Sequence, residues 1–374
     1  MDQAREIVAL SREFGAGDDW VIGGGGNSSI KDERWMWVKA SGTALADIEP
    51  HQFVKMDRRK LAAIWDLQYP EEQGAREDRA KADLFAARAP GEESKRPSVE
   101  ALMHALFPSR IVFHTHPTLV NALTCARQGR SAAQRILGEE QLWIPMINPG
   151  YVLARRIYDE RLRYLRDHEG REPRFILLEN HGLVVHGESS EDIRRAHGDL
   201  VDALVPETGG LPPESTPREA PAVLTRAAAR LAELRPDLCI EPGADGVLEP
   251  FVRDRTSLAP LEGALSPDHI VYAGHRPATA ETPAEVPEAL SRYQEEEGVP
   301  PKTLVLLGSG VLGIGTSVQA ARNAVRLFVD AARIAHLAPR FGGMQFMPKD
   351  QVEFIRNWEV EKYRQQVSNR RPGS

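Results

Sequence analysis

Arg110-Ile111-Val112-Phe113-His114-Thr115-His116-Pro117 is an apolar run that closes on two histidines and a proline. Side chains alternate across a strand, so residues two apart share a face and both imidazoles project to one side. Pro117 has no N–H for a ladder and stops the strand there, placing the pair at a strand end, where sites open. Taken alone, His-x-His also fits the polar face of an ordinary strand.

Phe175-Ile176-Leu177-Leu178-Glu179 reads as a second strand and delivers Asn180-His181-Gly182 at its end. A third neutral imidazole from a separate strand end completes a three-histidine catalytic zinc set with one position open to substrate. Gly182 permits close backbone approach there. The alternatives for His181 are a turn histidine bonded to a carbonyl, or displacement as ligand by His186, which lies beyond a further strand at Leu183-Val184-Val185. Trp35-Met36-Trp37-Val38-Lys39 is another strand, and helical periodicity covers 4–14, 99–105, 119–127 and 191–204. Alternation of this kind predicts an α/β layered domain. The charged segment 71–96 reads as an exposed helix with a flexible end.

In Pro97-Ser98-Val99-Glu100, Ser98 is an N-cap with Glu100 in the first turn and His104 one turn on. Glu100 is then either a helix-end carboxylate or a group aimed at the metal, as displaceable ligand or proton-transferring base. Ile22-Gly23-Gly24-Gly25-Gly26-Asn27-Ser28-Ser29-Ile30 and Ala40-Ser41-Gly42-Thr43 are small-residue loops whose backbone N–H groups suit an oxyanion. Together they can clamp one phosphate.

The chain has 374 residues, with 47 basic against 54 acidic, a net charge of −7 and no basic block. Two domains are expected, with neither nucleic acid nor membrane as partner. Two cysteines, Cys125 and Cys239, make no disulfide framework or thiolate cluster. The first residues lack the basic start and apolar run of a signal peptide, and no apolar run approaches the roughly 20 residues of a membrane helix. A cytoplasmic protein is expected.

Val205-Pro206-Glu207-Thr208-Gly209-Gly210-Leu211-Pro212-Pro213 and the polar residues after it place a linker at 206–222, between a first domain at 1–205 and a second at 223–374. In the second part a strand is expected at 303–307, with helices at 317–336 and 349–366. The apolar face of the first of these helices, Val325, Phe328, Val329 and Ala332, is expected to cover the first domain or a neighbouring subunit. Gly308-x-Gly310-x-x-Gly313 matches a dinucleotide fingerprint, but no strand ending in an acid follows about 20 residues on. A tight turn and close helix–strand packing are expected there, without nicotinamide. No fixed-period repeat is apparent.

The ordered set Gly26-Asn27-Ser28, Lys39-Ala40-Ser41-Gly42, Pro97-Ser98-Val99-Glu100, His114-Thr115-His116-Pro117 and Asn180-His181-Gly182-Leu183 resembles the class II aldolase/adducin family over 1–205. The resemblance implies a three-layer α/β/α domain with a central, mainly antiparallel sheet. It implies Zn2+, or another divalent metal, on His114, His116 and His181, with Glu100 as acid/base and Asn27, Ser41, Gly42 and Ser98 on a substrate phosphate; Ser28 of the glycine loop joins that phosphate set. Val99 departs from the fuculose-phosphate branch, which has a second Ser before the Glu. Ser266-Pro267-Asp268-His269, the stretch 308–315 and Asn357-Trp358-Glu359-Val360-Glu361 resemble the long rhamnulose-1-phosphate aldolases fused to an alcohol dehydrogenase, which often have Asp where this chain has Glu100. The chain then looks like the aldolase part with a smaller α/β extension.

The implied activity is cleavage of a ketose 1-phosphate to dihydroxyacetone phosphate and a small aldehyde. A decarboxylase or dehydratase using the same site, or an adducin-like binding module, is the alternative. The expected partners are a small phosphorylated sugar and further copies of the chain, in a homo-oligomer up to a tetramer.

Overall fold

The computed structural model describes residues 2–358. The far end of the helix expected over 349–366 and Glu359-Val360-Glu361 lie outside the described residues; the helix within them is Lys349–Asn357. The chain divides into two compact units, Met1–Val120 with Arg130–Gly209, and Asn121–Gly129 with the described residues from Gly210 onward.

The first unit is built on seven strands: β1 Asn27–Lys31, β2 Trp35–Lys39, β3 Phe53–Asp57, β4 Ile111–Thr115, β5 Gln141–Ile144, β6 Phe175–Leu178 and β7 Gly182–Gly187. Their order is β3-β2-β1-β4-β7-β6-β5. All neighbours are antiparallel except β5 and β6. Helices Asp2–Gly15 and Ser190–Thr208 cover one face, and Arg58–Ala63, Gln73–Ala86, Ala101–Ala105 and Tyr151–Asp167 the other. The unit is thus a three-layer α/β/α domain with a mainly antiparallel sheet. Alternate residues of the strands, Met36, Val38, Val54, Val112, Ile176 and Val184, form the core under the second set of helices.

Three strands escape the sequence pattern. The clearest is β1, Asn-Ser-Ser-Ile-Lys, which is buried along its whole length although four of its five residues are polar. Three of the four polar side chains are matched instead of hidden: Ser28 with Ser11, Ser29 with His104, and the Lys31 ammonium on the carbonyls of Phe107 and Ser109. Burial pulls the Lys31 pKa down to about 7.

The segment 71–96 is neither wholly exposed nor loose. Its helix is Gln73–Ala86, capped by Glu72, with Ala80 and Leu84 in the core. Glu77 is buried and accepts from the N–H groups of Tyr151 and Val152, satisfying the start of the next long helix. After it the chain is pinned by bridges Met56↔Arg88 and Ala40↔Pro97. That pinning delivers Pro97 to Glu100 to the sheet.

The second unit has a four-stranded sheet, β8 Cys239–Gly243, β9 Ala278–Ala280, β10 Thr303–Leu306 and β11 Gly310–Gly315, in the order β8-β11-β10-β9. Only the β9–β10 pair is parallel. Helix Val318–Leu337 lies on it, and Phe328, Val329 and Ala332 are buried with Val305, Val311 and Leu258 of the same unit. The apolar face expected to cover another domain or subunit therefore closes its own unit's core. Helix Ala222–Leu234 covers the opposite face through Leu224, Ala227 and Leu231.

The boundary also differs from the expected linker. Helix Ser190–Thr208 runs through Pro206 and ends at Gly209, whose φ of 78° is the usual left-handed helix stop. Residues 215–218 are bound to the second unit through Asp245 and Ala244. Gly308 and Gly310 lie in and after a hairpin turn between strands, a different setting from the strand-to-helix turn of a dinucleotide site. A Cβ on Gly313 would sit 2.1 Å from the Ala321 carbonyl oxygen, so the glycine serves helix–strand contact. Among the described residues no helix is long and apolar enough to cross a membrane.

His197 gives a test of the first unit's packing. Buried among Phe14, Trp20 and Phe113, it donates from Nδ1 to the Ile193 carbonyl and accepts at Nε2 from the Thr115 hydroxyl, and burial lowers its pKa to about 4. Its unfolded value is about 6.5. The unfolded chain binds the extra proton first, so this contribution to stability is full above pH ~6.5 and is lost as pH falls towards ~4. Urea unfolding between pH 4.5 and 6 should show His197→Gln losing up to about 1.4 kcal/mol per pH unit of the parent's slope. An unchanged slope would place the histidine in water.

Candidate metal centre

Strand β4 sits between β1 and β7, with His114 opposite Asn27 on one side and Val184 on the other. His114 therefore shares a face with Val112, the face covered by helix Ala101–Ala105. His116 follows on the same side just past the strand, its N–H held by the Trp20 carbonyl at 2.9 Å. His181 arrives from the turn between β6 and β7. Asn180 takes a left-handed φ of 53° and the His181 N–H returns to the Leu178 carbonyl at 3.1 Å, which tightens that turn.

Two glycines let these backbones meet. A Cβ on Gly182 would lie 2.4 Å from the Thr115 carbonyl oxygen, and one on Gly26, at φ 67°, would lie 2.8 Å from that of His114. The end of the glycine run thus serves contact with the histidine strand.

The three imidazoles converge. His114 and His116 present their Nε2 atoms to each other at 2.9 Å, and ring centroids are 5.0 Å apart for His114 and His181 and 5.2 Å for His116 and His181. One nitrogen from each lies within 4.8 Å of the others. The Leu183 carbonyl, 2.8 Å from His114 Nδ1, accepts that nitrogen's N–H and leaves the lone pair of Nε2 directed at the cluster, the arrangement that orients a metal-bound histidine. Burial holds the His114 pKa well below its ordinary value, so the ring is a neutral donor. These donors fit a divalent ion of zinc type.

Glu100 completes the cluster. Oε1 is 3.4 Å from His181 Nε2 and 3.7 Å from His114 Nε2, while Oε2 accepts from the Asn27 amide. Burial alone would raise this carboxyl, but the imidazoles around it outweigh burial and hold it well below the usual carboxylate range. The Ser98 hydroxyl accepts from the Glu100 N–H at 3.3 Å. Helix Ala101–Ala105 begins two residues later than expected, with Glu100 in place of Ser98 at its N-cap position.

Asn27 reaches this carboxylate directly, and the segments that carry Ser41 and Ser98 are joined by backbone bonds: Ala40 bridges Pro97, the Ser98 N–H reaches the Lys39 carbonyl, and the Ser41 N–H reaches the Arg96 carbonyl. Ser28 is not with them. It lies on the other side of β1, its hydroxyl 2.7 Å from Ser11 and fully buried, because adjacent residues of a strand face opposite ways. Its neighbour Ser29 is on the site side, bound to His104. His186 is also elsewhere, its two nitrogens engaged by Ser109 and the Pro173 carbonyl.

One positioning residue was missed. The buried Lys39 ammonium donates to the carbonyls of Gly24 and Thr43 and so ties both small-residue loops together. A lysine at the end of an alternating strand gives no sign of pointing inward until both loops are placed around it.

A family model described as the class II aldolase and adducin N-terminal domain matches residues 5–202. An uncharacterized oxidoreductase, YuxG of Bacillus subtilis strain 168, is 25% identical, the match covering 96% of this chain and 58% of that protein. The chain thus spans a little over half the length of that relative. Among solved structures, the N-terminal class II aldolase domain of a conserved Thermoplasma acidophilum protein is 27% identical, covering 53% of this chain and 90% of that one, with a TM-score of 0.44. An L-fuculose-1-phosphate aldolase from Thermus thermophilus is 16% identical over 54% of this chain and 89% of that one, with a TM-score of 0.33.

Were the three rings to hold a zinc ion with one nitrogen each, His116→Ala and His181→Ala would each lower zinc retained after dialysis at least tenfold, while His186→Ala would keep it. Elemental analysis of the folded variants checks this. Full occupancy in His116→Ala would exclude that ring as a ligand.

Proposed function

The chain belongs to the class II aldolase and adducin family, and from that premise we propose that its first unit is a zinc-dependent lyase that splits a ketose 1-phosphate into dihydroxyacetone phosphate and a small aldehyde. The observation that carries this reading is the buried contact of Glu100 with the three-imidazole cluster, one carboxylate oxygen beside His181 and His114 and the other on Asn27. When bound, the metal supplies Lewis acidity towards the ketose oxygens.

The residues of the chain account for the rest of the chemistry. His114 is held neutral and oriented, so it binds an ion without first shedding a proton, and His116 and His181 each turn a nitrogen to the same point. Glu100, an anion at neutral pH, takes the proton of the C4 hydroxyl as the C3–C4 bond breaks and the C4 oxygen becomes the aldehyde carbonyl. The bond's electron pair stays with C3, and the same carboxyl returns the proton there, so no proton is gained or lost overall. In the condensation direction Glu100 removes it from C3.

Asn27 donates to Glu100 and so fixes which oxygen remains free. Its own carbonyl oxygen is buried and has no hydrogen-bond partner among the described residues, which leaves an acceptor for a substrate hydroxyl. Ser41, Gly42 and Ser98 would receive the phosphate, with the Lys39 ammonium adding positive charge behind the loops.

Two measurements test the reading. Zinc-loaded protein incubated with a panel of ketose 1-phosphates should release triose phosphate, detected by a coupled dehydrogenase; carbon dioxide or a dehydrated sugar instead would reassign the reaction. Glu100→Gln should retain zinc yet exchange a hydroxymethyl proton of dihydroxyacetone phosphate, on the carbon that was C3 of the ketose, with deuterated water at least a hundredfold more slowly. Exchange at the parent rate would reduce Glu100 to a helix cap.

A further inference from the structure

The hairpin that supplies His181 has a counterpart in the second unit. Residues 175–189 and 303–317 align without a gap: β6 falls on β10, β7 on β11, and the helix cap Ser189 on Ser317. Both hairpins lie in sheets of one pattern, β4-β7-β6-β5 in the first unit and β8-β11-β10-β9 in the second, with the last pair parallel in each.

The register agrees residue by residue. Leu178 pairs with Ile144 as Leu306 pairs with Ala280. The N–H of Glu179 reaches the Ile144 carbonyl at 3.0 Å, and that of Leu307 the Ala280 carbonyl at 2.9 Å. At the turn, Asn180 has a φ of 53° and Gly308 one of 74°, and the next N–H, of His181 or Ser309, returns to Leu178 or Leu306. A Cβ on Gly182 would meet the Thr115 carbonyl oxygen at 2.4 Å, and one on Gly310 the Gly243 carbonyl oxygen at 2.6 Å. Ser189 accepts from the Asp192 N–H, and Ser317 from that of Ala320. Shared strand order alone requires neither the left-handed turn residue nor the glycine at the same place. No repeat is evident in the sequence because few aligned residues are identical, among them Leu178 with Leu306, Gly182 with Gly310 and Gly187 with Gly315.

The same register locates the positions that correspond to the metal ligands. Val184 pairs with His114 and Leu312 with Pro242, so His114 falls on Pro242, His116 on Ala244 and His181 on Ser309. A pyrrolidine, a methyl and a hydroxyl make no zinc site. The strand end at which such a site would open is also closed. The Arg218 N–H bonds the Ala244 carbonyl, Ser215 and Thr216 bond the Asp245 carboxylate, and the Gly308 N–H bonds the Val252 carbonyl.

We infer that the second unit is a shortened second copy of the metal unit's sheet, with its ligand positions lost and its mouth plugged by residues 215–218. Among the described residues the chain then carries one three-histidine cluster, and the second unit has no metal ligands at the corresponding place. Only the mapping of ligand positions rests on the metal reading of the first unit.

The test transplants the hairpin within the intact chain. Replacing residues 176–188 by 304–316 should leave a folded protein with the unfolding transitions of the parent and at least tenfold weaker zinc binding. The same chimera retaining His181 should recover zinc affinity to within tenfold of the parent. Zinc content should be one per parent chain and none in the His114→Ala/His116→Ala double variant. A retained-His181 chimera that folds without binding zinc, a chimera that fails to fold where His181→Ser alone folds, or a second zinc that survives the double variant would each overturn the inference. A parent chain that binds no zinc at all would instead count against the metal reading, and the copy would then be judged by whether the chimera folds.

Discussion

The first unit depends on one close approach, the packing of the β6–β7 turn and the glycine loop against the end of β4. The missing side chains of Gly182 and Gly26 bring two backbones against the Thr115 and His114 carbonyls. Only at that spacing does the Leu183 carbonyl reach His114 Nδ1 and turn Nε2 towards the other two rings. A methyl group at either position would push the strands apart, and ligand nitrogens tolerate displacements of only a few tenths of an ångström.

The carboxylate is held by a longer chain of dependence. Glu100 lies on a different element from the histidines and is brought in by a segment that is pinned beside β2 and β3 at Ala40↔Pro97 and Met56↔Arg88. Buried Glu77 caps the helix from Tyr151 and fastens the layer above it. An interior with so many charged groups, Lys31, Lys39, Glu77 and Glu100 among them, is stable only because each has a partner in place. That requirement makes the arrangement specific, since a shifted strand would leave several of them unmatched.

Comparison of the two sheets shows how much of this geometry is backbone and how much is side chain. The hairpin, the left-handed turn residue and the close glycine occur in both units, while the histidines occur in one. The framework can thus exist without the centre. Conversely, the Pro-rich stretch that resembles a tether in sequence is partly structural, because residues 215–218 satisfy polar groups at the end of β8.

The sequence by itself determined the histidine set and the strand ends that carry it, because alternation in β4 and an apolar run ending at Asn180-His181-Gly182 are local signals. It also singled out Glu100 and the layered α/β character of the first unit. Tertiary structure alone decided the rest. The polar strand β1 has no apolar period, so its central place, and with it the turning of Ser28 away from the site and of Asn27 onto Glu100, follows from pairing with β4. Whether the helix 318–337 covers its own sheet or another surface cannot be read from one apolar face, since hydrophobic burial has no direction until a partner is present. The likeness of the two sheets is likewise a matter of register and φ, which many different side chains can share.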